Sequence, residues 1–119
     1  MRFYLLIIIS IFINANNGWS KLHKYIYKED LIKVESILKA EPNLINKKSN
    51  FGISPLHLAI KVRNLEIVKL LIKYKVDINI QDKSGLSALH YSIAKNLNRI
   101  SKFLITSGIN IEIVTLCLM

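Results

Sequence analysis

Over residues 54–61, apolar Leu56, Ala59 and Ile60 recur at i, i+3, i+4 spacing, the signature of a helix with one buried face. Ser54 suits the N-cap, and Pro55 suits the first helical position, where its missing N–H costs nothing. This short helix is expected to end near Arg63-Asn64. A second helix is predicted from Leu65 to about Tyr74, with Ile67, Leu70 and Leu71 inward and Glu66, Lys69 and Lys73 outward. Val76-Asp77-Ile78-Asn79 then alternates apolar and polar, and Asp82-Lys83-Ser84-Gly85 carries turn chemistry. The unit reads as helix, tight turn, helix, extended loop.

The same pattern returns after 33 residues. Gly52 pairs with Gly85, Ser54 with Ser87, Leu56 with Leu89, His57 with His90, Ile67 with Ile100 and Leu71 with Leu104. The same shift backwards pairs Val34 with Ile67, Leu38 with Leu71, and Ile45-Asn46 with Ile78-Asn79. These helices fall short of the roughly 12–15 residues at which an isolated helix becomes marginal in water. They persist only if adjacent pairs stack, so the sequence predicts an all-α solenoid of about three units.

These residues resemble the ankyrin repeat. The family's T-P-L-H-x-A motif stands here as Ser54-Pro55-Leu56-His57-Leu58-Ala59, and again as Ser87-Ala88-Leu89-His90-Tyr91-Ser92, which has lost the proline and the alanine. Glu66-Ile67-Val68-Lys69-Leu70-Leu71 matches the second-helix E-I-V-x-L-L stretch, and Asp77-Ile78-Asn79 the D-x-N loop. The resemblance implies a capping-type unit over 19–48, a repeat over 49–81 and a degenerate repeat over 82–113. The family's glycine between the helices is Arg63 and Asn96 here, and its glycine after the second helix is Lys75, kept as Gly108 one repeat later. Ser101 stands where the second unit has Val68. Where the backbone must be left-handed, Lys75 costs of order 1 kcal/mol relative to glycine.

Both ends differ from the repeats. Met1-Arg2 precedes an eleven-residue apolar run, Phe3 to Ile13, which as a helix would be roughly 17 Å long against a hydrocarbon core of about 30 Å. A positive start, a short apolar core and a following Ala15 read as a signal peptide over 1–15, with a cut as late as residue 18 as the fallback. An exported protein, periplasmic or secreted, is expected, with an uncleaved membrane anchor as the alternative. Residues 114–119, Val-Thr-Leu-Cys-Leu-Met, form an apolar tail in place of a polar closing repeat. Either this tail folds back over Phe103 and Leu104, or the last face self-associates. With about three units, the domain is expected to be marginally stable.

Charge and chemistry change little. Lys and Arg outnumber Asp and Glu by 17 to 8, for a net charge of +9. The chain has 21 Ile, 14 Lys and 11 Asn but only 3 Arg, a bias in keeping with AT-rich coding, so the charge is discounted as a functional clue. Specific nucleic-acid readout wants arginines and stacking aromatics, and none is expected. One cysteine, Cys117, excludes an intrachain disulfide and a cysteine zinc cage. The resemblance implies structural roles for His57 and His90, which tie helix starts to neighbouring loops. His23 falls in a different register at a shift of 33 and is expected at the surface. No phosphate-binding, dinucleotide or nucleophile-elbow motif occurs, so no enzyme, cofactor or metal is expected.

The resemblance implies a protein-binding module whose partners dock on loop tips and on the first-helix face. By register that surface is Asn50, Phe51, Ile53, Lys61 and Val62 in one repeat and Lys83, Ser84, Leu86, Ala94 and Lys95 in the next. Phe51, Ile53 and Leu86 are the expected anchors, or else they pack loop against loop, with nearby lysines steering an acidic partner. A truncated repeat remnant and a membrane-associated basic protein are the alternatives.

Overall fold

The computed structural model describes residues 18–108. The predicted signal segment over 1–15 and the tail over 114–119 lie outside them. Among the described residues there are three helix pairs and no strand: α1 (Lys21–Tyr27) with α2 (Leu31–Ala40), α3 (Pro55–Lys61) with α4 (Leu65–Lys73), and α5 (Ala88–Ala94) with α6 (Asn98–Thr106). A 3-10 turn, Pro42–Leu44, follows α2. The first helices stack on one another, α1 on α3 on α5, and the second helices form a parallel row. This is the expected all-α solenoid.

The stack holds because each helix hides its apolar stripe against the next pair. Leu22, Ile26, Val34, Leu56, Ile60, Ile67, Val68, Leu71 and Leu104 are fully buried in one continuous core. At roughly 25 cal/mol per Å² of apolar area, this shared burial is the main force ordering helices of 7 to 10 residues. The helix-to-helix turn is the same in all three units. Asp30, Asn64 and Leu97 donate their N–H to the carbonyls of Tyr25, Ala59 and Ser92 at 3.1, 3.2 and 2.8 Å. This closure puts the preceding Glu29, Arg63 and Asn96 in the left-handed region at φ 55, 59 and 56°. Lys75 does the same after α4, at φ 65°.

Two expectations change here. His23 is fully buried, not at the surface. The first unit superposes on the second at a shift of 34 through its first helix, so Ser20-Lys21-Leu22-His23 matches Ser54-Pro55-Leu56-His57. The shift returns to 33 in the following loop, because α2 has 10 residues where α4 has 9. That extra residue concealed the match. Second, the third unit is not simply eroded. Its two polar departures meet: the Ser101 hydroxyl donates to the Ser92 hydroxyl at 2.7 Å, and Ser92 donates to the Leu89 carbonyl at 3.0 Å. It does lack a side-chain cap on α6, where Leu97 occupies the place held by Asp30 and Asn64.

Candidate functional site

The loops between repeats are positioned by their own hydrogen bonds. Ser49 N–H donates to the Ile53 carbonyl at 2.9 Å and Asp82 N–H to the Leu86 carbonyl at 2.9 Å, closing two tight turns. Ser49 Oγ accepts from the amides of Phe51 and Ile53, as Asp82 Oδ1 accepts from those of Ser84 and Leu86. The two tips approach closely at Gly52, where φ is 77° and a Cβ would lie 2.8 Å from the Lys83 nitrogen. Only glycine fits there.

Histidines fasten these loops to the helices. Ser20 and Ser54 place their hydroxyls 3.0 and 2.7 Å from Nδ1 of His23 and His57. The Nε2 atoms lie 2.9 Å from the Ile53 carbonyl and 2.8 Å from the Leu86 carbonyl, each in the next repeat. A carbonyl only accepts, so Nε2 carries the proton in both rings. Burial pushes both imidazoles below the usual histidine value, against the opposing pull of those carbonyls. They are structural ties. Trp19 stacks on His23 with centroids 5.9 Å apart, and Tyr91 lies 4.7 Å from His57.

A groove of about 400 Å³ opens between these loops and the first helices of units one and two. Trp19, Ser49, Phe51 and Ile53 line it from the loops, and Tyr27, Leu58, Lys61 and Val62 from α1 and from α3 and its C-cap. Phe51 is 58% exposed and Tyr27 is 47% exposed, large apolar surfaces for a domain this small. No acidic residue lines the groove, and Lys61 is exposed at its edge.

Of the residues picked from sequence, the structure gathers Phe51, Ile53, Lys61 and Val62 into this one groove. Asn50 sits exposed at the loop tip above Gly18. Lys83, Ser84, Leu86, Ala94 and Lys95 do not line it. Lys83 and Ser84 are exposed on the next tip, Ala94 is exposed at the end of α5, and Lys95 is half-buried. Leu86 is half-buried and its carbonyl serves His57. Ile53 combines both readings, packing against the core while facing the groove. Tyr91 contacts Lys61 of one repeat and Asp82 at the base of the next loop. It takes in unit three the helix position that Leu58 takes in unit two, lays its ring against His57, and donates its hydroxyl to Asp82. The Lys61 ammonium lies 5.7 Å from that ring. Burial raises the Asp82 carboxyl, but hydrogen bonds from Tyr91, Leu86 and Ser84 outweigh it and hold the group below the usual carboxylate range. The missed residues are Trp19, Tyr27, Ser49 and Leu58. The shift of 34 that hid His23 also hid Trp19, which is the first unit's counterpart of Ile53.

Paired short helices, tight loop tips and histidine ties define a helical-repeat scaffold. Residues 22–115 match the family model described as ankyrin repeats in three copies. The chain belongs to the ankyrin repeat family. It is 33% identical over 108 residues to an ankyrin repeat protein of Rickettsia felis, covering 85% of this chain and 28% of that one. It is 33% identical over 84 residues to protein phosphatase 1 regulatory subunit 27 of Mus musculus, covering 71% of this chain and 54% of that one. Among solved structures, the ankyrin repeat domain of Bcl-3 aligns with a TM-score of 0.75 at 30% identity, covering 78% of this chain and 41% of that domain's chain. The chain thus spans about a quarter of the first of these relatives and about half of the second. Ankyrin repeats generally mediate protein–protein interaction and are typically non-catalytic.

Proposed function

We propose that this chain is an exported interaction module that seats an apolar side chain of an acidic protein partner in the groove beside Phe51. The observation that carries this reading is the cluster of Phe51, Tyr27 and Trp19 around one apolar groove with a lysine at its edge and no acid in its lining. Aromatic side chains supply large contact area at low entropic cost and dominate interface energetics. Lys61 and the nearby exposed Lys47 and Lys48 favour approach of negative charge. The apolar run Phe3 to Ile13 behind Arg2 supports export.

The groove is tested with a displayed peptide library. Selected sequences are expected to pair acidic residues with a large apolar one. Phe51→Ser is expected to weaken their binding by about tenfold or more, and Lys61→Glu to slow association, with the circular dichroism of both variants unchanged. Selected peptides that bind Phe51→Ser as tightly as the parent would remove the groove from the mechanism. Export is tested separately by mass spectrometry of the extracellular or periplasmic fraction. An intact Met1 on the exported chain would defeat the cleaved signal peptide.

A further inference from the structure

We infer that the face of α5 and α6 turned away from the second repeat is a docking surface for residues 109–119 of this same chain. Three equivalent isoleucines define that face. Ile26 and Ile60 are fully buried under the following repeat, whereas Ile93, at the same place in the third, is 40% exposed. Ile105 on α6 is 45% exposed. Helix α5 also carries an unsatisfied polar atom. His90 is 93% buried (7% exposed) and takes Ser87 on Nδ1 at 2.9 Å, as the other two histidines take their serines. Its Nε2 has no hydrogen-bond partner. In the preceding repeats that atom donates to a main-chain carbonyl of the next loop, so His90 marks where the next acceptor belongs.

Register names the occupant. The acceptors are Ile53 for His23 and Leu86 for His57, and the same period of 33 from Leu86 falls on Met119. The path length agrees. From left-handed Lys75 the chain takes eleven residues to bring the Leu86 carbonyl to His57, and from left-handed Gly108 eleven residues lead to Met119. Ile109, Ile111, Ile113, Val114, Leu116 and Leu118 supply an apolar strip suited to Ile93 and Ile105. The segment thereby supplies the acceptor for His90 and covers the two isoleucines.

The single cysteine of the sequence, Cys117, gives the test, because a nitroxide attached there reports its neighbours through paramagnetic broadening. In the full chain, the Ile93 methyl and His90 ring signals are expected to be lost, while those of Leu22 and His23 remain. In a mixture of nitroxide-bearing chains and isotope-labelled unmodified chains, the labelled Ile93 and His90 signals are expected to stay sharp. Sharp signals in the first sample would overturn the proposal, and broadening in the mixture would assign the face to a second copy instead. In the unmodified chain, a slowly exchanging Nε2 proton on His90 is expected alongside those of His23 and His57. Its absence while the other two persist would also overturn the proposal.

Discussion

His57 reaches out of its own repeat to bind the next, its Nε2 lying 2.8 Å from the Leu86 carbonyl while Nδ1 holds the Ser54 hydroxyl at 2.7 Å. His57→Ala would strand both groups and leave a void, and is expected to cost about 2–4 kcal/mol. His23→Ala is expected to cost a similar amount, since that ring is equally buried and makes the same two contacts. Urea unfolding midpoints measure both. A His23→Ala midpoint equal to the parent's would return His23 to the surface.

Stability should depend on pH through these two rings. Burial, the largest influence, holds His23 and His57 below 6.5, so in the window just below that value the unfolded chain binds more protons than the native one. Their contribution is therefore complete above 6.5 and lost as pH falls from 6.5 through the lowered native values. A series of thermal midpoints from about pH 8 to about pH 5 should decline on the acid side. Imidazole titration by NMR should place both midpoints below 6.5, and a midpoint above it for either ring would contradict the assignment.

Lys75 holds φ 65° where its repeat has no glycine, with Val76 N–H closing onto the Leu71 carbonyl at 3.0 Å. Lys75→Gly relieves the left-handed backbone but adds freedom to the unfolded chain, so the expected gain is about 0.5–1 kcal/mol. Gly52→Ala works in the opposite sense, because φ 77° and a Cβ at 2.8 Å from the Lys83 nitrogen make it costly by about 1–3 kcal/mol. Chemical denaturation of the two variants should move the midpoint in opposite directions.

The Ser92–Ser101 pair predicts non-additivity. Ser92→Ala removes the acceptor of Ser101 and is expected to cost about 1 kcal/mol, and Ser101→Val alone leaves the buried Ser92 without its donor. Together they restore the apolar pairing of Ala59 with Val68, and the double variant is expected to be at least as stable as the parent. A thermodynamic cycle reads the coupling, and additive losses would show that the two hydroxyls do not interact.

The repeat and its helix pairs were legible because they rest on local signals. Ser54-Pro55 starts a helix by its own cap geometry, and the i, i+3, i+4 stripe of Leu56, Ala59 and Ile60 marks the buried face without reference to any partner. The left-handed Arg63 and Lys75 were legible as departures from glycine, and the structure places both at positive φ. His23 was not legible, because one residue added in α2 moves everything before it out of a shift of 33. The groove was half legible. Register located Phe51, Ile53, Lys61 and Val62, but not Trp19, Tyr27, Ser49 and Leu58, which join them across two repeats.

The sequence alone determined a stack of short helix pairs, since helices of 7 to 10 residues with one apolar stripe have no other stable state in water. Only the tertiary structure decided which departures from the repeat matter. Tyr91 lays its ring against His57 and donates its hydroxyl to Asp82, and Ser92 finds Ser101 across the helix pair. The reason is physical. Periodicity fixes the direction each side chain leaves its own helix, whereas the worth of a polar atom or an aromatic ring is set by what the neighbouring layer places against it.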